Sequence, residues 1–120
     1  MIDNQRKQYD LEERTFQFAK NVRNFVSKLP KTISYTEDGK QVIRASGSVG
    51  ANYIEANEAL SKKDFLMRLK ISRREAKECQ YFLRLLSESV ENEFINEASR
   101  LQQEALEIRN ILSSIVLKSS

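Results

Sequence analysis

Residues 44–65 read RASGSVGANYIEANEALSKKDF, a stretch in which small and polar residues predominate. Serine, glycine and alanine recur in it at spacings of three and four residues, which place small side chains on one face of a helix. Gly47 and Gly50 both lie inside the stretch, and an interior glycine costs a helix about 1 kcal/mol relative to alanine. We infer that another helix approaches this face closely and offsets the loss.

The segments outside this stretch have the apolar periodicity of amphipathic helices. A first helix is predicted over Tyr9–Leu29, and Pro30 ends it because proline lacks the amide hydrogen and clashes with the preceding turn. A last helix is predicted over Glu93–Leu117. The apolar seams of these two helices are Leu11, Thr15, Phe18, Val22, Phe25 and Leu29, and Phe94, Ala98, Leu101, Ala105, Ile108, Leu112 and Ile115.

Two more helices are predicted between them. The second covers Glu37–Leu60 after a connector over residues 31–39, in which Ser34 or Thr36 could cap it. Ser61 and Asp64 form a capping box that starts a third helix over Lys62–Ser87. The third helix carries an apolar stripe beyond the one that faces the core, and this excess surface suggests a subunit interface. The extra stripe is Met67, Ile71, Phe82 and Leu85.

Short connections between long helices favour antiparallel neighbours, so we predict an all-α, antiparallel, up-down-up-down four-helix bundle. The 120 residues contain one proline and three glycines, which fits a helical protein. We expect a single domain over residues 1–120, with residues 1–8 as a flexible tail.

Composition argues against catalysis and against a metal. The chain has no histidine, so Ser–His and Cys–His nucleophile systems are excluded. Four glutamates on the second and third helices resemble the ligands of di-metal bundles, but such sites use Glu-x-x-His pairs. Gly47 to Gly50 matches the loop pattern of a KH module, which needs strands that are not predicted here. We expect no enzyme activity, no metal, no cofactor and no small-molecule substrate.

The cellular setting is predicted from what the sequence does not contain. Cys79 is the one cysteine, and its neighbours indicate a core position. No secretory signal opens the sequence, and no apolar run approaches the ~20 residues that span a bilayer. We expect a cytoplasmic protein without membrane contact.

A polar group shared by the second and third helices is the first candidate site. Side chains on the second helix follow one another at steps of three and four residues, and two glutamates could face them from the third helix. We interpret the group as a hydrogen-bond network that fixes helix register, with a ligand or ion site as the alternative. Its members are Arg44, Ser48, Asn52, Glu55, Glu75 and Glu78.

A basic run on the third helix is the best functional indication. The net charge is only +3, but basic residues dominate from Lys62 to Arg84 and acidic residues from Glu88 to Glu107. The run predicts contacts with nucleic-acid phosphates. The alternatives are a solvated face, or pairing with the acidic last helix. The candidate contacts are Lys62, Lys63, Lys70, Arg73, Arg74 and Lys77.

Several motifs together resemble a known family, the 23S rRNA-intervening-sequence proteins, whose founding members are encoded within insertions in bacterial large-subunit ribosomal RNA genes. The most specific is SVGANYIEA at residues 48–56, and the resemblance covers nearly the whole chain. The other markers are LEERTF at 11–16, the segment 25–30 ending in KLP, IR at 43–44, KDF at 63–65, EA at 75–76 with Glu78, and residues 111–115.

The resemblance implies a left-handed up-down bundle that assembles into a homopentamer, with no established activity or cofactor. A related accessory protein of diversity-generating retroelements is also a pentamer, and it binds a reverse transcriptase and nucleic acid. We therefore expect a non-catalytic oligomer that engages RNA, DNA or a nucleic-acid-handling partner through a basic surface. The alternative is a protein–protein interaction scaffold that binds no nucleic acid, such as a reverse-transcriptase accessory-like subunit.

Overall fold

Four α-helices account for almost all of the chain. This computed structural model describes the backbone of residues 2–120 and the side chains of residues 11–120. The helices are α1 (Ile2–Ser27), α2 (Ile33–Asn57), α3 (Lys62–Ser89) and α4 (Asn92–Ser119). No strand occurs in residues 2–120, so the prediction of an all-α, four-helix protein is confirmed.

α1 begins earlier than the predicted Tyr9 and ends close to the predicted position. After Ser27, two amides bond back to carbonyls three residues earlier, and Pro30 follows. The side chains of residues 1–8 lie outside the described part of the structure. The flexible tail expected there stays a prediction. The single domain over residues 1–120 also stays a prediction.

α2 begins earlier than predicted, at Ile33, because Thr32 caps it. The Thr32 backbone is extended (φ −84°, ψ 165°) and its side chain accepts a hydrogen bond from the Tyr35 amide. This is the geometry of an N-cap. Ser34 and Thr36, the residues expected to cap the helix, lie inside it.

The boundary between α2 and α3 is set by Ser61. Its backbone is extended (φ −136°, ψ 156°), and its side-chain oxygen accepts a hydrogen bond from the Asp64 amide. The predicted start of α3 at Lys62 is confirmed. α2 ends at Asn57, short of the predicted Leu60, and Glu58 follows it as the C-cap residue.

The core is formed by one apolar face of each helix. All six predicted seam residues of α1 are buried, as are the middle residues of the α4 seam. On α2 the buried face includes Val42, Ser46 and Tyr53, which the small-residue pattern did not indicate. The largest fully buried side chains are Phe18, Phe25, Leu69, Leu83, Leu86, Ile108 and Leu112.

The small residues of α2 allow α1 to approach closely. A Cβ atom built at Gly50 would lie 3.0 Å from Thr15 Oγ1 of α1. Since this is tighter than ordinary packing, a larger residue would push the two helices apart. The close approach inferred from the sequence is confirmed, and the neighbour is α1.

Side chains link neighbouring helices in a consistent order. Near the middle of α1, Glu12 accepts a hydrogen bond of 3.0 Å from Asn57 at the end of α2. Farther along α1, Arg23 donates to Ser46 at 3.5 Å. Later residues of α1 therefore contact earlier residues of α2. Contacts between α3 and α4 follow the same reverse order.

Candidate nucleic-acid interface

An ion-pair cluster joins α2 to α3. Arg44 of α2 binds Glu75 Oε2 through Nη1 at 3.0 Å and Glu78 Oε1 through Nη2 at 2.8 Å. The Glu75 side chain is only 7% exposed, whereas that of Arg44 is 52% exposed. The hydrogen bond to Glu78 raises the pKa of Arg44 above its ordinary value. The cluster therefore keeps a buried carboxylate paired across the two helices.

A second cluster lies farther along the same two helices. Asn52 Nδ2 donates to the Ser48 carbonyl at 2.9 Å and to Ser48 Oγ at 3.3 Å. Asn52 Oδ1 accepts a hydrogen bond from Arg68 of α3 at 3.3 Å. Arg68 was not expected to belong to the network. Glu55 is exposed and has no hydrogen bond or ion pair with the described side chains.

The predicted polar group thus divides into two clusters, with Glu55 outside both. Each cluster spans α2 and α3, and among side chains 11–120 no buried polar atom lacks a hydrogen-bond partner. Polar networks whose buried atoms are all hydrogen-bonded in this way can fix the register of the two helices. The geometry therefore favours the structural interpretation over a ligand site, because no buried donor or acceptor is left for a ligand.

Nucleophilic side chains between these helices are not activated. Ser72 Oγ is buried and donates to the Val49 carbonyl at 2.7 Å. Cys79 is fully buried, and this burial raises the pKa of its thiol. A protonated, enclosed thiol is a poor nucleophile. Within the described residues, no cluster of histidine, cysteine, aspartate or glutamate has the arrangement of a metal site.

Four of the six predicted phosphate-binding residues line a shallow groove between α3 and α4. The α3 residues are spaced three and four apart and share one helix face. Two residues of α4 close the other side, and the groove has a volume of about 350 Å³. We call this the basic groove. Its lining residues are Lys70, Arg73, Arg74, Lys77, Arg109 and Ser113.

Acidic residues of α4 do not neutralise the basic groove. They pair with α1 instead: Arg14 binds Glu104 through Nη2 at 2.6 Å and Glu107 at 2.9 Å. Lys28 binds Glu97 at 2.6 Å. The alternative that the acidic helix serves as the partner of α3 is therefore not supported by these three glutamates.

The basic residues of the groove form few ion pairs with acidic residues elsewhere among the described side chains. Arg74 Nε lies 3.9 Å from Glu75 Oε1, at the limit of an ion pair. Lys70, Arg73 and Lys77 form no ion pair with any side chain in residues 11–120. These cations therefore have hydrogen-bonding capacity for an anion in the groove.

The remaining candidate contacts, Lys62 and Lys63, lie nearer the start of α3. Lys63 lines an adjoining groove of about 530 Å³ together with Met67 and two residues of the basic groove. Lys62 lines a separate depression at the end of the bundle, beside Leu60. Lys63 can thus extend the basic groove, whereas Lys62 lies apart from it.

Arg109 and Ser113 are the groove residues that sequence reasoning missed. They lie one helical turn apart on α4 and directly follow the buried residues Ile108 and Leu112. On a helical wheel both residues lie next to the apolar seam of α4. This position predicts that they border the surface that packs against other helices. Counting charges along the chain missed them because the acidic run of α4 ends at Glu107, just before Arg109.

No helix within residues 2–120 is both long enough and apolar enough to cross a membrane.

Comparisons with known proteins agree with the fold. The profile of the family described as 23S rRNA-intervening sequence protein matches residues 7–114. A similar crystal structure is that of a protein of unknown function from the S23 ribosomal protein family of Bacteroides thetaiotaomicron VPI-5482. The two chains are 29% identical, with 92% of this chain and 97% of that chain covered and a TM-score of 0.76. No curated protein matches the sequence. Because the family profile covers most of its length, this chain belongs to the 23S rRNA-intervening sequence protein family.

Proposed function

We propose that this protein is a non-catalytic assembly protein that binds RNA or DNA through the basic groove. The observation that carries the proposal is the convergence of five basic side chains from α3 and α4 on one groove. Phosphate oxygens are the acceptors that best fit such a surface, since lysine and arginine offer donors and no acceptors. Affinity would come from the backbone and would carry little sequence information.

Arginine and lysine play different parts in this proposal. Arg73, Arg74 and Arg109 offer planar guanidinium groups that can bind two oxygens of one phosphate. Arg109 Nη1 also donates to Gln80 Oε1 at 3.2 Å, which orients its guanidinium beside α3. Lys70 and Lys77 are exposed point charges and can follow a phosphate as it shifts.

The proposal includes an antiparallel, left-handed bundle that assembles into a homopentamer. The reverse order of the contacts between α1 and α2 supports the antiparallel arrangement. The extra apolar stripe of α3 supports assembly: Met67 is 46% exposed and Leu85 40% exposed in the single chain. Ring assembly would repeat the basic groove around one particle and strengthen its field.

We place this assembly in the cytoplasm and assign it no cofactor, metal or small-molecule substrate. The buried, protonated Cys79 fits a reducing compartment, where thiols stay unpaired. The fully bonded clusters between α2 and α3 fit a structural role.

A protein-interaction scaffold without nucleic acid is the second candidate. The same exposed stripe of α3 favours it, because apolar surface at Met67 and Leu85 fits a protein partner better than a phosphate backbone. A reverse-transcriptase accessory-like subunit would be of this kind. The two candidates differ in whether purified protein binds a nucleic acid at all.

Fluorescence anisotropy with labelled RNA and DNA oligonucleotides tests the proposal. The groove variant carries Lys70→Gln, Arg73→Gln and Lys77→Gln. The charge-matched control variant carries Lys20→Gln, Lys31→Gln and Lys118→Gln, which are residues outside the groove. Because both variants remove three positive charges, the comparison separates local binding from net charge.

We expect the wild type and the control variant to bind, and the groove variant to bind at least about tenfold more weakly, because one or more charge-assisted hydrogen bonds to phosphate are removed. Heparin should compete, and inorganic phosphate should compete only weakly. Equal affinity of the two variants would refute the groove as the site. Absence of binding by the wild type at low salt would favour the scaffold.

A further inference from the structure

Tyr81 lies on the same face of α3 as the basic groove. It follows Lys77 by four residues and Arg74 by seven, and these spacings place side chains above one another on a helix. Its side chain is 60% exposed. A large aromatic ring therefore lies at the end of a row of cations, with most of its surface open to a ligand.

The ring of Tyr81 contacts the ring of Phe82. It makes an edge contact with Phe82, with ring centroids 5.4 Å apart and an interplanar angle of 80°. Phe82 is partly buried and packs against the core. Because Tyr81 stays 60% exposed despite this contact, ring surface remains accessible on the same face as the groove.

Beyond Tyr81 the unpaired basic surface ends. Arg84 Nε binds Glu88 Oε2 at 3.0 Å one turn farther on. Lys70 and Tyr81 are about 16 Å apart along α3 at 1.5 Å per residue. The row of cations and the ring at its end are therefore long enough to contact a short run of nucleotides.

We propose that Tyr81 stacks on an unpaired base, so that the basic groove selects single-stranded RNA or DNA over duplex. The proposal rests on the nucleic-acid function proposed above and names its substrate class. In a single strand the bases expose faces that an aromatic ring can cover while cations hold the phosphates. In a duplex those faces are already stacked inside the helix, and only phosphates would be reached.

Oligonucleotides containing 2-aminopurine test this, because the fluorescence of this base changes when it stacks. Each oligonucleotide is offered to the protein as a single strand and annealed to its complement. The variants are Tyr81→Ala, which removes the ring, and Tyr81→Phe, which keeps it. The matched control is Phe16→Ala, which removes a ring that is 61% exposed on α1, outside the groove.

We expect Tyr81→Ala to weaken single-strand binding by roughly 5- to 140-fold, the range typical for removal of one base–aromatic stack. The same variant should leave duplex affinity unchanged and abolish the 2-aminopurine response. Tyr81→Phe and Phe16→Ala should behave as the wild type in both assays.

Three results would overturn the inference alone: unchanged single-strand affinity in Tyr81→Ala, an equal loss of affinity for duplex and single strand, or a changed oligomer mass. The last would make Tyr81 an interface residue, and native mass spectrometry detects it. Failure of the wild type to bind any nucleic acid would overturn the proposed function as well. The two failures are therefore distinguishable.

Discussion

Replacing Gly39 with alanine is expected to destabilise the protein, although alanine is the better helix former. Gly39 lies inside α2 and is buried. A Cβ atom at this position would lie 2.7 Å from Cγ1 of Val26 on α1. Valine is branched at Cβ and has one strongly preferred rotamer in a helix. The clash can therefore be relieved only by moving a stiff side chain or separating the two helices.

The magnitude follows from two opposing effects. Alanine in place of a helix-interior glycine contributes about 1 kcal/mol. An overpacked contact costs about 1–3 kcal/mol. We expect Gly39→Ala to lower the free energy of unfolding by up to about 2 kcal/mol. In a Val26→Ala background the clash disappears, and the same change should then stabilise by about 1 kcal/mol.

Gly47 provides the matched control in the same helix. A Cβ there would meet only Arg23 Nη2, at 3.2 Å, and this is the far end of a flexible side chain that can move at little cost. Gly47→Ala should therefore stabilise the protein by up to about 1 kcal/mol. Urea denaturation followed by circular dichroism, at one fixed protein concentration, measures all variants. Shifts of the unfolding midpoint in the same direction for the two alanine variants would refute the predicted clash between Gly39→Ala and Val26.

Two ion-pair predictions follow from the same geometry. Arg44→Met should lower the free energy of unfolding by about 1–3 kcal/mol, because the buried Glu75 carboxylate loses its charge-assisted partner; an unchanged thermal midpoint would contradict this. The pKa of Glu107 is held below its ordinary value by a hydrogen bond from Gln103 and then by Arg14. A lowered folded-state pKa contributes stability that is present above the ordinary pKa and is lost as pH falls through the lowered one. Glu107→Gln should remove that part of the acid sensitivity, and identical midpoint-versus-pH curves for the two proteins would refute it.

Much of the fold could be predicted because burial follows the helical period. The α1 seam from Leu11 to Leu29 is buried at every predicted position, since a period near 3.5 residues admits one inward face. The start of α3 was equally well specified. Ser61 and Asp64 form a local motif whose geometry needs no information from the rest of the chain.

The start of α2 could not be predicted in the same way. Thr32, Ser34 and Thr36 all carry hydroxyl groups that can cap a helix, and sequence alone does not choose among chemically equivalent caps. Gly39 was predicted as the last residue of the connector because residues 31–39 are of mixed polar content. Its helical role depends on Val26, which is distant in sequence and becomes its neighbour only after folding.

The candidate site was partly predictable for a related reason. The spacing of Lys70, Arg73 and Lys77 already placed them on one face of α3. The contribution of Arg109 depends on how α4 packs against α3, which periodicity does not specify. In the same packing Glu104 of α4 pairs with Arg14 of α1. The charges in the sequence could not show which helix the acidic residues of α4 would contact.

The salt dependence of single-strand binding shows whether the basic groove binds phosphates. If the basic groove binds phosphates, log Kd should rise linearly with log salt concentration between about 50 and 200 mM. The groove variant should have a slope shallower by about 0.7 for each phosphate that it no longer neutralises, while the charge-matched control keeps the wild-type slope. Equal slopes for both variants, or binding that salt does not weaken, would contradict phosphate binding by the basic groove.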